Sequence, residues 1–149
     1  MHTGIDLWMK WDLQQLTGSF KERGALNALL QLTPDEKKNG VIAASAGNHA
    51  LALAYHGNRL GIPVTVLMPN SAPLAKVDKC RMFGASVVLF GENIGEAKDE
   101  AFKNEKYRAL RYINGYDDHA IISGAGTMGI EIMEQVDNVD CVVVPWGGL

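Results

Sequence analysis

The chain has 149 residues, 47% hydrophobic and 21% charged, which suits one domain with a real core and is too apolar for a disordered segment. With 14 basic and 17 acidic residues the net charge is −3, so there is no electrostatic reason to expect nucleic acid or an acidic membrane as partner. Cys80 and Cys141 stand at no metal-binding spacing and read as lone packing thiols of a reducing compartment, no apolar run nears the ~20 residues that span a bilayer, and MHTGIDLWMKWD lacks a signal peptide's apolar centre. The expectation is a soluble, cytoplasmic protein without a metal.

The first structured segment is TGSFKERGALNALL, residues 17–30. Ser19 and Glu22 have capping-box spacing, which places Lys21 in the first turn of a helix. The helix dipole disfavours an ammonium there by ~0.3–1 kcal/mol. That pressure favours the neutral amine, the form that attacks carbonyls, although a solvated surface lysine has the same local sequence. Next, VIAA between Gly40 and Ser45 reads as a buried strand, and Asn48 to Leu60 as a helix closed by Gly61. VTVLM between two prolines is a second strand, Ala72 to Phe83 a helix, and Ala85-SVVLF a third strand. Ile94 to Lys106 reads as a polar-faced helix, Leu110-RYIN as a weaker strand and Asn114-GYDDHA-Ile121 as a loop. A helix over Gly126 to Gln135 and a strand over Asp140-CVVV complete the order. This alternation predicts an α/β fold with a parallel sheet, and the unbroken apolar runs suit strands covered on both faces.

Three further motifs bear on function. Ser45-Ala-Gly-Asn-His49 joins a buried strand to a helix, where open α/β sheets bind ligands. Free N–H groups at such a helix start suit a carboxylate or a phosphate, and a plain capped turn has the same residues. His49 and His56 are seven apart on one helical face, a packing or surface spacing rather than that of a metal pair. Gly124-Ala-Gly-Thr-Met-Gly129 matches the dinucleotide fingerprint but follows only a scrap of strand, so close helix approach by small residues is the preferred reading. Pro145-Trp-Gly-Gly can wrap a phosphate with backbone N–H groups or form an ordinary turn.

Taken in order, TGSFKERGA, SAGNHA, LMPNSAPLAKVDKCRMFGA, GAGTMGIEI and VVVPWGGL resemble the serine/threonine dehydratase branch of the fold type II pyridoxal-phosphate (PLP) enzymes, to which serine racemase is related. The resemblance implies the tryptophan-synthase-beta-like fold, with parallel sheets and flanking helices. It implies that Lys21 holds PLP covalently and moves the Cα proton, and that Phe20 and Asn48 contact the cofactor. Ser45, Ala46, Gly47 and His49 match the loop that grips the substrate carboxylate, and Gly147 and Gly148 match the start of the phosphate loop. The implied reaction converts L-threonine or L-serine to a 2-oxo acid and ammonia, in a protein that is a homo-oligomer at full length.

Some residues depart from the family pattern. Related racemases carry a serine base where this chain has Ala46, which favours elimination, workable with one acid/base group, over racemisation, which needs two. Asp12 stands where Glu is common, and Trp146 is bulky for its place. The glycine loop stops at Leu149. The sequence therefore reads as a fragment: residues 1–39 and 117–149 as pieces of a large domain, residues 40–116 as a small α/β domain. The rival readings are a racemase of the same fold and a truncated, non-catalytic chain.

Overall fold

A computed structural model describes residues 4–145 and Gly147. Its helices and strands are, in sequence, α1 (Lys21–Leu30), α2 (Pro34–Asn39), β1 (Val41–Ala44), α3 (Asn48–Leu60), β2 (Val64–Met68), α4 (Leu74–Met82), β3 (Ser86–Leu89), α5 (Ile94–Lys103), β4 (Arg111–Tyr112) and α6 (His119–Gln135), with short 3-10 turns at Asp12–Gln14 and Glu105–Tyr107. The four strands form one parallel sheet in the order β3-β2-β1-β4. The chain runs outward from β1 through β2 to β3, then returns to the other side of β1. The β1–β4 junction is therefore the switch point of the sheet.

Alternate strand residues serve opposite faces, as the two-residue period of a strand requires. Val41, Ala43, Val64, Val66 and Met68 join the core made with α1, α3 and α4, while Ile42 and Leu67 meet Ala97 and Ala101 of α5. Helix α3 approaches the sheet closely: a Cβ on Gly57 would run into the Val64 side chain, so only glycine allows that approach. Gly61, left-handed at φ 67°, closes α3 where the sequence placed its end. Asn93 caps α5 by accepting from the Glu96 N–H, and Asp118 caps α6 by accepting from Ala120 and Ile121.

Several expectations are corrected. The Ser19–Glu22 capping box does not form. Helix α1 begins at Lys21 with Phe20 as an uncapped N-cap, so Glu22 stands one place too early and accepts instead from the Thr17 N–H. The true capping box is Thr33–Glu36, opening the unforeseen α2. The helix expected to run to Lys106 ends at Lys103 and gives way to a 3-10 turn capped by Asn104. Helix α6 starts seven residues before Gly126, at the Asp118 cap, so the glycine-rich 124–129 stretch is mid-helix and cannot act as a strand-to-helix phosphate turn. Gly124 is instead where α6 crosses α1, with a Cβ position 2.5 Å from the Arg23 carbonyl oxygen. Residues 140–144 form no strand, since no neighbour among the described residues pairs with them, and they are exposed. Cys80 is buried as expected, but Cys141 is exposed. Among the described residues no helix is long and apolar enough to cross a membrane, and no cluster of three metal-ligating side chains occurs.

Candidate active site

The switch point collects the chemistry-bearing residues. Strand β1 ends at Ala44, and the chain turns through Ser45, whose N–H donates to the Leu67 carbonyl at 3.0 Å. The Ser45 hydroxyl accepts from the Gly47 N–H at 3.3 Å, tightening the turn. Gly47 is the N-cap of the 13-residue α3 and offers no side chain to its first turn. The opening N–H groups of α3 are thus left for a ligand, as an anion site needs. A Cβ on Gly47 would meet nothing within 4 Å, so the approach is open. Asn48 is exposed, and its amide oxygen accepts from Lys76 Nζ at 3.1 Å.

Across this turn, Lys21 Nζ donates to the Gly115 carbonyl at 2.6 Å. It also stands 4.4 Å from the Tyr116 ring centroid and 5.1 Å from that of Phe20. Partial burial holds the Lys21 amine below its ordinary pKa. Desolvation makes this amine readier to lose its proton than a surface lysine, while the two ring faces, which attract an ammonium, act the other way.

His49 is buried, and its ring is turned to the backbone after β4 rather than to solvent. Its Nε2 lies 3.1 Å from the Ile113 carbonyl. A carbonyl only accepts, so Nε2 carries the hydrogen and Nδ1 is a bare acceptor, without a partner among the described residues. Burial, and to a smaller degree the Lys21 charge, drive His49 down to about 4, so it is neutral near pH 7. A Cβ on Gly115 would sit 2.7 Å from His49 Cγ. His49 therefore fixes the same backbone that receives the Lys21 amine.

On the far side of α1, Arg23 grips Asp12 through Nε at 2.7 Å and Nη2 at 3.0 Å. It also grips Glu131 of α6 through Nη1 at 2.5 Å and Nη2 at 2.8 Å. Lys10 meets the same Glu131 at 2.5 Å. Hydrogen bonds from Arg23 and then Lys10, more than their charges, hold the Glu131 carboxyl down at about 2. Asp12, shorter than the expected Glu, still reaches Arg23, and the network ties the N-terminal arm and α6 to the lysine-bearing helix.

Of the residues singled out from sequence, Lys21, Phe20, Ser45, Ala46, Gly47, Asn48 and His49 flank this one end of the sheet. Gly147 is exposed with no close neighbour, and Gly148 and Trp146 lie outside the described residues. Gly115 and Tyr116 were not foreseen; the signal available was a glycine–aromatic pair directly after a strand's carboxyl end.

Comparison with known proteins agrees with this geometry. The family model described as pyridoxal-phosphate dependent enzyme matches residues 1–149. An L-threonine ammonia-lyase of Thermotoga maritima is 44% identical over 146 residues, covering 98% of this chain and 36% of that protein. The solved structure of the processed form of threonine deaminase isoform 2 from Solanum lycopersicum superposes with a TM-score of 0.83 at 40% identity, covering 87% of this chain and 36% of the other. Serine racemase from Dictyostelium discoideum gives a TM-score of 0.81 at 33% identity, with coverage of 87% and 42%. The chain spans 36–41% of the length of the curated relatives it matches. With the Lys21 amine held at the Gly115 carbonyl just past β4, and with the family model matched from end to end, the chain belongs to the pyridoxal-phosphate dependent enzymes.

Proposed function

We propose that these residues are the lysine-bearing part of a PLP-dependent ammonia-lyase acting on L-threonine or L-serine. One observation carries the reading: the half-buried Lys21 amine, held at the Gly115 carbonyl, opposite an α3 start with no side-chain cap. The site residues fit the cofactor in kind. Lys21 supplies the amine and the Phe20 ring lies 5.1 Å from it, while the family resemblance alone would put Asn48 on the cofactor ring and Gly147 and Gly148 at the start of a phosphate loop. When bound, PLP supplies an electron sink for the substrate Cα.

The chain's own residues would do the rest. The α3 N–H groups, with Ser45, Ala46 and Gly47, bind and orient the substrate carboxylate. His49 keeps the facing backbone in place. Lys21, desolvated, takes the Cα proton; loss of the β-hydroxyl as water followed by hydrolysis gives the 2-oxo acid and ammonia. Ala46 has no proton to give from the opposite face, which is why elimination is preferred to the racemisation suggested by the serine racemase likeness. The domain division into residues 1–39, 40–116 and 117–149 belongs to the same proposal.

Incubation with PLP, borohydride reduction and peptide mapping should place the label on Lys21, and Lys21→Ala should abolish it. Labelling of another residue would overturn the reading. In the full-length protein, L-serine should give pyruvate in excess of D-serine, and the reverse would favour the racemase.

A further inference from the structure

Next to Lys21 stands a buried acid–imidazole pair that the reaction does not use. Glu22 and His56 are 6% and 4% exposed. One Glu22 carboxylate oxygen accepts from the Thr17 N–H, and the other lies 3.4 Å from His56 Nε2. A single carboxylate thus bonds the segment entering α1 and closely approaches, without a formed hydrogen bond, the middle of α3, whose N-terminal end carries Asn48 and His49. A buried carboxylate is costly unless such partners repay it, and an apolar residue would fill this position more cheaply. The groups facing His56 are Glu22 from α1 and, on its own helix, Arg59 and the Tyr55 ring at 5.0 Å. Burial keeps the imidazole below its ordinary pKa despite Glu22.

We propose that Glu22 and His56 are positioning residues, a latch that sets the first turn of α1 against α3 and so keeps Lys21 at the Gly115 carbonyl. The proposal rests on the reading of Lys21 as the reacting amine. Glu22 belongs to the same turn as Lys21, and the Thr17 contact fixes where that turn begins. Without the latch the turn can shift, and the flexible Lys21 side chain moves out into water.

The test is the titration of the Lys21 amine, read by trace acetylation and mass spectrometry across pH. Glu22→Ala and His56→Leu should raise the Lys21 pKa by ~0.5 or more, toward the ordinary 10.5. Glu22→Gln and His56→Gln, which keep a polar group at each position, should leave it close to wild type. The sign is diagnostic, because deleting a nearby carboxylate would by charge alone lower an amine's pKa. A lower melting temperature with an unchanged Lys21 titration in Glu22→Ala would make the pair ordinary core and overturn the proposal. Should both disruptive variants fail to fold, amide exchange in the wild type decides: Thr17 should be protected like the interior of α1, and an unprotected Thr17 sinks the latch. Borohydride labelling with PLP tests the underlying reading separately, since normal Lys21 labelling with no latch effect removes the latch alone.

Discussion

Strand β2 and residues 140–144 have similar sequences, VTVLM and DCVVV, and opposite fates. Val64, Val66, Leu67 and Met68 are at most 5% exposed, paired with β1 on one side and β3 on the other and covered by helices on both faces. Val142, Val143 and Val144 are 51%, 89% and 67% exposed, with no strand beside them. The same contrast separates the helices. Helix α3 buries eight of its 13 residues, while α6 buries only Ile121 and Gly124 of its 17 and leaves Ile122, Ile130 and Met133 outside. An apolar run specifies a strand or a covered helix face only where neighbours complete its hydrogen bonds and hide its side chains. The buried core therefore lies mostly in α1 and residues 41–113, and the candidate site sits where α1 meets the sheet.

Substitutions should respect this boundary. Leu53, fully buried on α3, should lose ~2–5 kcal/mol on change to alanine, read as a lower urea midpoint at unchanged slope. A loss as small as that of a surface substitution would erase the distinction between the two regions.

Acid should act on the buried side next. His49 is held neutral, at about 4 against an ordinary 6.5, so its contribution is complete above pH 6.5 and declines as pH falls toward 4, where the unfolded chain has bound the proton and the folded one has not. The drop from 6.5 to about 4, at about 1.4 kcal/mol per pH unit, sets a ceiling of about 3–4 kcal/mol on that loss. His56 shifts in the same direction and adds to it. Urea melts at pH 7 and pH 5 should show a larger loss for the wild type than for His49→Gln, which can keep the bond to Ile113; equal losses would mean that His49 is protonated in the fold.

Between the regions lies the α1–α6 crossing. Gly124→Ala brings a methyl to 2.5 Å from the Arg23 carbonyl and 2.8 Å from Gly24 Cα, so one helix must move. Overpacking of this kind costs ~1–3 kcal/mol. Because the displaced helix carries Lys21, PLP labelling should fall as well. Gly126→Ala, whose added Cβ meets nothing within 4 Å, should change neither.

The sequence revealed this architecture unevenly, for physical reasons. Helix α3 was legible from end to end because its signals are local: an apolar stripe, a strand before it and a left-handed glycine after it. The start of α6 was not, because the Asp118 cap sits within what reads as a polar loop, and the glycines of 124–129 suggested a turn where the fold uses Gly124 for a helix crossing. The Ser19–Glu22 spacing misled because Phe20, not Ser19, holds the N-cap, which frees Glu22 for Thr17. Lys21 and the 45–49 turn were legible as contiguous motifs. Gly115 was not, since its bond to Lys21 joins positions 94 apart and depends on β4 pairing with β1.

The smallest effect belongs to the outer face of α6. Met133 is 68% exposed, and its replacement by glutamine removes little buried area while both residues are good helix formers. Unfolding should change by no more than ~0.5 kcal/mol, the range of surface substitutions. Self-association should fall, because Ile122, Ile130 and Met133 leave the outer face of α6 apolar and open to water. Sedimentation of the wild type against Met133→Gln and Ile130→Gln reads this directly. If the substitutions instead cost as much as Leu53→Ala, α6 must have its outer face covered in solution, and the line between a covered half and an uncovered one would have to be redrawn through α6 itself.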